Sequence, residues 1–268
     1  ISWERTISKI NITIIDSTEN SYTLQAVYDT PNAIRSGSDS ISRELTSRIS
    51  RTFGNDTVIV ETNELGTIKR LVNFDKLRSR YLKAAEMTAE ALSAQQDSEA
   101  QKDSLFRFLK STLSKQMGDT TVIVSTALEE LSFLLYYHGC KMDFNEEYQI
   151  EENFPSLLGG APCKGMRTFW IDEVDPENGS FRITSDAIVN TDQAIRQFIE
   201  LIQSNLPEED RRKPIDSSQI PIIMAQDQND TYIHADTGWP LVVYYTRTTQ
   251  VGENKSGQEI SLEINIPE

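Results

Sequence analysis

Histidine and cysteine are scarce in this chain, two of each in 268 residues: His138 and His234, Cys140 and Cys163. So small a set offers few ways to bind zinc or to build a nucleophilic triad, which needs an imidazole beside a serine or thiol. His138-Gly-Cys140 with Cys163 supplies three zinc-type ligands, but no C-x-x-C or H-x-x-x-H spacing goes with them. A histidine at a helix end, where a cation meets exposed carbonyls, is the simpler expectation. His234 and Asp236 stand two apart and would share one face of a strand as an imidazole–carboxylate pair. No G-x-S-x-G elbow supplies a nucleophile, so a surface pair near a turn is expected. Gly159-Gly160 lacks the Lys-Ser/Thr of a phosphate loop. The chain is therefore read as non-enzymatic, with no catalytic residue, no metal and no cofactor.

Positive charge is the next shortage. Lys and Arg number 26 against 41 Asp and Glu, a formal net charge of -15. Phosphate backbones and anionic headgroups repel such a chain, which excludes nucleic acid as a first partner. One local reversal, Lys69, Arg70, Lys76, Arg78, Arg80 and Lys83, suits an acidic partner or the wet face of a strand and helix, and the wet face is expected. The acidic runs Asp172 to Glu177 and Asp227 to Asp230 do not follow the calcium-loop pattern and are expected in solvated turns.

Long apolar runs are also missing. The nearest, Leu131-Ser-Phe-Leu-Leu-Tyr-Tyr137, falls well short of the ~20 residues that span a bilayer. Hydrophobic content of 38% with 25% charged residues is a globular composition. Because the chain begins at Ile1, an earlier segment is expected to have been removed, and a signal peptide there would mean export. In an exported protein Cys140 and Cys163 could form a disulfide, closing a loop of about two dozen residues and stabilising by ~3 kcal/mol on the chain-entropy model. In a reducing compartment they would remain two thiols.

What is present is alternation. Ile7 to Ile15 and Tyr22 to Tyr28 flank a polar turn and predict a hairpin. Val58 to Val60 and Ile68 to Val72 predict a second, with Gly66 in its turn. Between them Ile41, Leu45, Ile49 and Phe53 fit a helix or a strand, with helix favoured by the interspersed charge. From Asn73, a candidate N-cap, three helical stripes follow: Phe74 to Leu92, Leu105 to Met117 and Ile123 to Leu135. Strand character returns at Met142, Phe144 and Tyr148 to Ile150. Next comes a Gly/Pro-bearing loop, Asn153 to Pro162. Its Phe154, Leu157 and Leu158 would be a lid or contact patch if exposed, and would plug the core if not. Asp175-Pro-Glu-Asn-Gly179 joins Met166–Val174 to Phe181–Val189 as a hairpin, and a helical stripe runs from Ile195 to Leu206. The C-terminal stretch, entered through Thr237-Gly-Trp239-Pro240, alternates Ile260, Leu262, Ile264 and Ile266 with polar residues and predicts closing strands. Trp239 is expected to pin them.

Gly66-Thr-Ile68-Lys-Arg-Leu-Val-Asn73 leading into a helix, with the late Asp236-Thr-Gly-Trp-Pro240 before strands, resembles uncharacterised envelope lipoproteins of Gram-negative bacteria. The order of elements over most of the chain is similar to the LolA-like lipoprotein-carrier group. The departures are a long three-helix middle and no lipobox cysteine. The fold expected is α+β: a curved, largely antiparallel, half-barrel-like sheet packed against or lidded by several helices. It is read as one domain over 1–268 with a helical insert at about 74–138. The resemblance implies an exported periplasmic or outer-membrane-anchored lipoprotein whose membrane attachment is an N-terminal lipid. Its expected role is to hold a lipid-like ligand in a groove of the sheet, or else another envelope protein, with Phe154, Leu157, Leu158 and Trp239 as contacts. A hydrolase using His234 and Asp236 is a distant third alternative.

Overall fold

The computed structural model describes residues 4–7, 9–29, 32–35, 45, 47–49, 52, 56–96, 98–154, 163–190, 192, 195–196, 199, 203 and 223–264. It is α+β, built of open antiparallel sheets with helices, in the class the alternation predicts. The chain divides into two compact units, Ile1–Gly139 and Cys140–Glu268, and the helical segment lies in the first. Among the described residues no helix is long and apolar enough to cross a membrane.

In the first unit, β1 (Glu4–Ile7) pairs with β4 (Asn32–Arg35). A separate four-stranded sheet runs in the order β2 (Ile10–Ser17), β3 (Ser21–Tyr28), β5 (Asp56–Asn63), β6 (Ile68–Leu71). Leu24 and Ala26 of β3 stand opposite Val60 and Val58 of β5, and all four are buried, so one face of the sheet is core. Three helices follow: α1 (Phe74–Ser93), α2 (Glu99–Met117) and α3 (Thr120–Leu135). α1 buries Leu77, Ala85, Met87 and Ala89, and α3 buries Ile123, Ala127, Leu128, Leu131, Leu134 and Leu135. α2 packs on α1 but buries no residue fully, so its apolar stripe is half covered and Phe108 stays open. In the stretch from 41 to 53, the described positions 45, 47–49 and 52 are helical.

Caps set these helix boundaries. Ser98 accepts from the Gln101 N–H, and Asp119 accepts from the Thr121 and Val122 N–H groups, each satisfying donors that a first helical turn leaves open. Asn73 stands at the start of α1 but does something else. Its Oδ1 accepts from the Ile59 N–H at 2.9 Å and its Nδ2 donates to the Thr57 carbonyl at 2.7 Å, tying the helix start to β5. Gly66, at φ +79°, closes the β5–β6 turn where the His138 ring approaches, and a Cβ there would lie 2.5 Å from His138 Cδ2. The helix-end histidine thus packs on the turn, a place where a side chain at position 66 has neither room nor a relaxed backbone.

The second unit is a six-stranded antiparallel meander: β7 (Glu147–Phe154), β8 (Cys163–Asp175), β9 (Ser180–Val189), β10 (Ile223–His234), β11 (Pro240–Val251) and β12 (Asn254–Glu263), each beside its neighbours in sequence. The β8–β9 turn is held by Asp175, which accepts from the N–H groups of Glu177 and Asn178 and from Asn178 Nδ2. These bonds, the Asn178 side chain first, hold the Asp175 carboxyl below the usual range. β11 and β12 meet at a two-residue turn led by Gly252 at φ +61°, so the polar stretch from Asn254 to Gly257 already belongs to the ladder. Met142 and Phe144 fall in a loop rather than a strand, because β7 begins only at Glu147.

Candidate functional site

Strand period two gives the six-stranded sheet two faces of different character. On the covered face, Phe154, Cys163, Ala187, Val189, Ile223 and Ala225 form an apolar cluster against which Ile195 and Val251 pack. One register step along, this face turns polar. Arg167, Ala187, Asp227 and Arg247 follow one another across β8 to β11. Asp227, 1% exposed, receives a bidentate fork from Arg247, Nε at 2.8 Å and a terminal nitrogen at 2.6 Å, and a third bond from the Tyr245 hydroxyl at 2.8 Å. Arg167 donates to Glu152 at 2.6 Å and to the Ser185 hydroxyl at 3.1 Å. Burial, and then the Asp227 charge, push the Tyr245 phenol well above its ordinary value, so it stays a neutral donor. Two guanidiniums meet two carboxylates, which satisfies the charges inside the network and makes this face a fixed scaffold.

The opposite face is open. Met166 stands opposite Ile188, and Met224 lies diagonally from it on β10; Ile188 is 70% exposed and the two methionines about half. A polar row crosses next: Thr168, Asp186, Gln228 and Thr246, with Gln228 donating to Asp186 at 3.2 Å. The next row is Trp170, Thr184, Asp230 and Tyr244 across β8 to β11, with Thr184 donating to Asp230 at 2.7 Å. Tyr244 meets Tyr232 edge to face at 6.5 Å, and the Arg182 guanidinium lies 5.8 Å from the Tyr232 ring. Arg182 also donates to Tyr232 and pairs with Asp172 and Glu173. Two islands, one of Met and Ile and one of Tyr and Arg, separated and edged by polar side chains, have the anatomy of a protein interface, and Trp, Tyr, Arg and Met are the residue types such interfaces favour.

The residues singled out in the sequence fall as follows. Phe154 is buried at the end of β7, its ring lying on Gly165 and 5.5 Å from the Arg167 guanidinium, which is the core-plug alternative. Leu157 and Leu158 lie outside the described residues. Trp239 is half-buried in the β10–β11 turn, where its carbonyl accepts from the His234 N–H at 2.9 Å. No disulfide joins Cys140 to Cys163: Cys163 points into the apolar cluster at 0% exposure, and Cys140 sits in the exposed loop before β7. β10 ends at His234, so Asp236 belongs to the turn and the same-face argument lapses; His234 Nδ1 lies 3.2 Å from the Thr237 hydroxyl instead. Among the described residues no three His, Cys, Asp or Glu gather as around a metal ion.

In the basic run, Arg70 pairs with Glu61 at 2.7 Å, Arg80 with Asp56 at 3.4 Å and Lys83 with Glu86 at 2.7 Å. The run from Asp227 to Asp230 was expected in a solvated turn and is instead the middle of β10, with Asp227 and Asn229 facing inward. The signal was in the sequence: Ile223, Ala225, Asp227, Asn229, Thr231 and Ile233 share one parity, and only the polar members disguise it.

A second polar cluster lies in the first unit. Tyr28 Oη donates to Glu130 Oε2 at 3.5 Å, with Tyr81 and Asp56 close enough to be felt electrostatically. Burial raises both phenols, Tyr81 to about 12, and raises the Glu130 carboxyl above its ordinary value. A carboxyl raised on folding contributes stability that is full below its unfolded value and lost as pH rises through the folded one. Glu130→Gln is therefore expected to match wild type near pH 4 and to melt higher than wild type at pH 7. Thermal unfolding across that range checks it; a gap that is flat or widens towards low pH would contradict the assignment.

No protein-family model matches the chain, and no curated protein or solved structure matches it either. The functional reading therefore rests on the sheet's own chemistry.

Proposed function

We propose that this chain is a non-enzymatic interaction module that holds another protein against the open face of its six-stranded sheet. The observation that carries the reading is the island of Tyr232, Tyr244 and Arg182, with Trp170 on the same face, beside a polar row and a Met–Ile patch, on a sheet whose other face is locked by the Arg247–Asp227–Tyr245 network. Large rigid side chains on a fixed platform lose little conformational freedom on binding, which is what interface anchors require. The resemblance to envelope lipoproteins supplies the setting, with a cell-envelope protein as partner.

The test is a photo-crosslinking residue placed at Thr246, between the two islands, in cells that make the protein. It should capture one defined partner. With that partner purified, Tyr244→Ala and Trp170→Ala should each weaken binding about tenfold or more, the scale of a truncated anchor. Capture of nothing, or affinities that ignore both substitutions, would sink the reading. A second reading, a lipid-like ligand on the covered face, is favoured by the small Ala187, Ala225 and Cys163 there. A delipidated, refolded sample that took up an acyl-chain probe saturably would move the assignment to that face.

A further inference from the structure

Sheet edges expose unpaired backbone groups, and proteins guard them with charge or brevity. Three of the four edges in the two larger sheets are guarded. β6 is four residues long and carries Lys69 and Arg70; β7 carries Glu147, Glu151 and Glu152; β12 carries Lys255, Glu259 and Glu263. β2 is different. It is eight residues long, has β3 on one side, and among the described residues no strand on the other. Between Lys9 and Asp16 it reads Ile-Asn-Ile-Thr-Ile-Ile with no charge. Ile10, Ile12 and Ile14 stand opposite Tyr28, Ala26 and Leu24, on the core side of the sheet, yet Ile14 is 54% exposed.

We infer that β2 pairs antiparallel with β2 of a second copy of this chain, making one continuous eight-stranded sheet about a two-fold axis. The sequence is its own complement in that arrangement. With Ile12 opposite Ile12 of the other copy, Ile10 meets Ile14 and Asn11 meets Thr13, so apolar faces apolar and amide faces hydroxyl. The flanking charges agree as well. The register shift between Ile14 and Asp16 makes Ile15 the extra residue of a bulge, which carries Asp16 to the position facing Lys9 of the second copy. Both are exposed and opposite in sign. In a chain of net charge -15, a surface where two copies meet uncharged strands flanked by complementary charges stands apart from the rest. The pairing is isologous and uses the one free β2 edge of each copy, so it closes at two.

Sedimentation equilibrium of the purified chain should show a reversible monomer–dimer equilibrium. Asn11→Lys with Thr13→Lys sets like charges opposite each other at exposed positions and should weaken the dimer tenfold or more with the melting temperature unchanged. Asn11→Glu with Thr13→Glu should do the same alone, and mixing the two variants should restore dimerisation as a heterodimer. A wild type that stays monomeric, a dimer indifferent to these substitutions, or growth beyond two copies would each overturn the inference. Because the open face belongs to the other unit, loss of this dimer leaves the crosslinking result at Thr246 unaffected, and the two ideas fail separately.

Discussion

Arg247→Met is expected to destabilise the second unit by about 3–5 kcal/mol, because it leaves the Asp227 carboxylate buried with its fork of donors gone. At 1% exposure Asp227 has no water to turn to, and the Tyr245 hydroxyl alone cannot balance a full charge. The counterpart is the triple substitution Asp227→Leu, Tyr245→Phe and Arg247→Met, which removes both charges and the orphaned hydroxyl together. Taking two ions out of water costs roughly what their attraction returns, so the triple variant is expected near wild type or above it by ~1 kcal/mol or more. Urea unfolding followed by tryptophan emission reads this directly, since Trp170 and Trp239 lie in this unit. If the single variant lost less than 1 kcal/mol, Asp227 would have to be solvated and the scaffold role would be gone.

Phe154→Ala is expected to cost a further large amount, about 3–5 kcal/mol, as a fully buried aromatic leaving a cavity. Its ring lies so close to Gly165 that a Cβ there would sit 2.6 Å from Phe154 Cε2. Gly165→Ala alone therefore forces the ring or the Ile188 carbonyl, 2.7 Å from the same point, to shift, and overpacking of this kind costs about 1–3 kcal/mol. The two changes are coupled. In the Phe154→Ala background the ring is gone while the Ile188 contact stays, so the added penalty of Gly165→Ala should shrink by at least 0.5 kcal/mol, a coupling expected of residues in contact. Additive losses would show that the ring does not rest on the glycine.

The fold class was legible because its carriers are periodic: Tyr22 to Tyr28, Ile123 to Leu135 and Phe181 to Val189 keep one parity or one helical face throughout. β10 was harder. Its inward side is Ile223, Ala225, Asp227, Asn229, Thr231 and Ile233, and a polar centre on a core face looks like a loop until Arg247 and Tyr245 are known to stand opposite. Cross-strand partners are not adjacent in sequence, so such a network is invisible to periodicity. Asn73 shows the same limit at smaller scale, since its position marks the start of α1 while its side chain serves the backbone of β5. Of the contacts proposed from sequence, Phe154 fits a contact patch or a core plug equally well before a loop of glycines and prolines, and the core takes it. Trp170, Tyr232 and Tyr244 are harder to read, because an aromatic in a strand fits either face until the register is known. Here Arg167, Ser185, Asp227 and Arg247 hold the middle of the covered face, and Trp170, Tyr232 and Tyr244 stand on the other.

Oxidative footprinting of the purified chain against the same chain in intact cells addresses the open face most directly. The account predicts that Met166, Met224, Trp170 and Tyr244 are oxidised severalfold less in cells, while the exposed Phe108 on α2 is modified equally in both. Equal oxidation of the open-face residues in the two settings would contradict it.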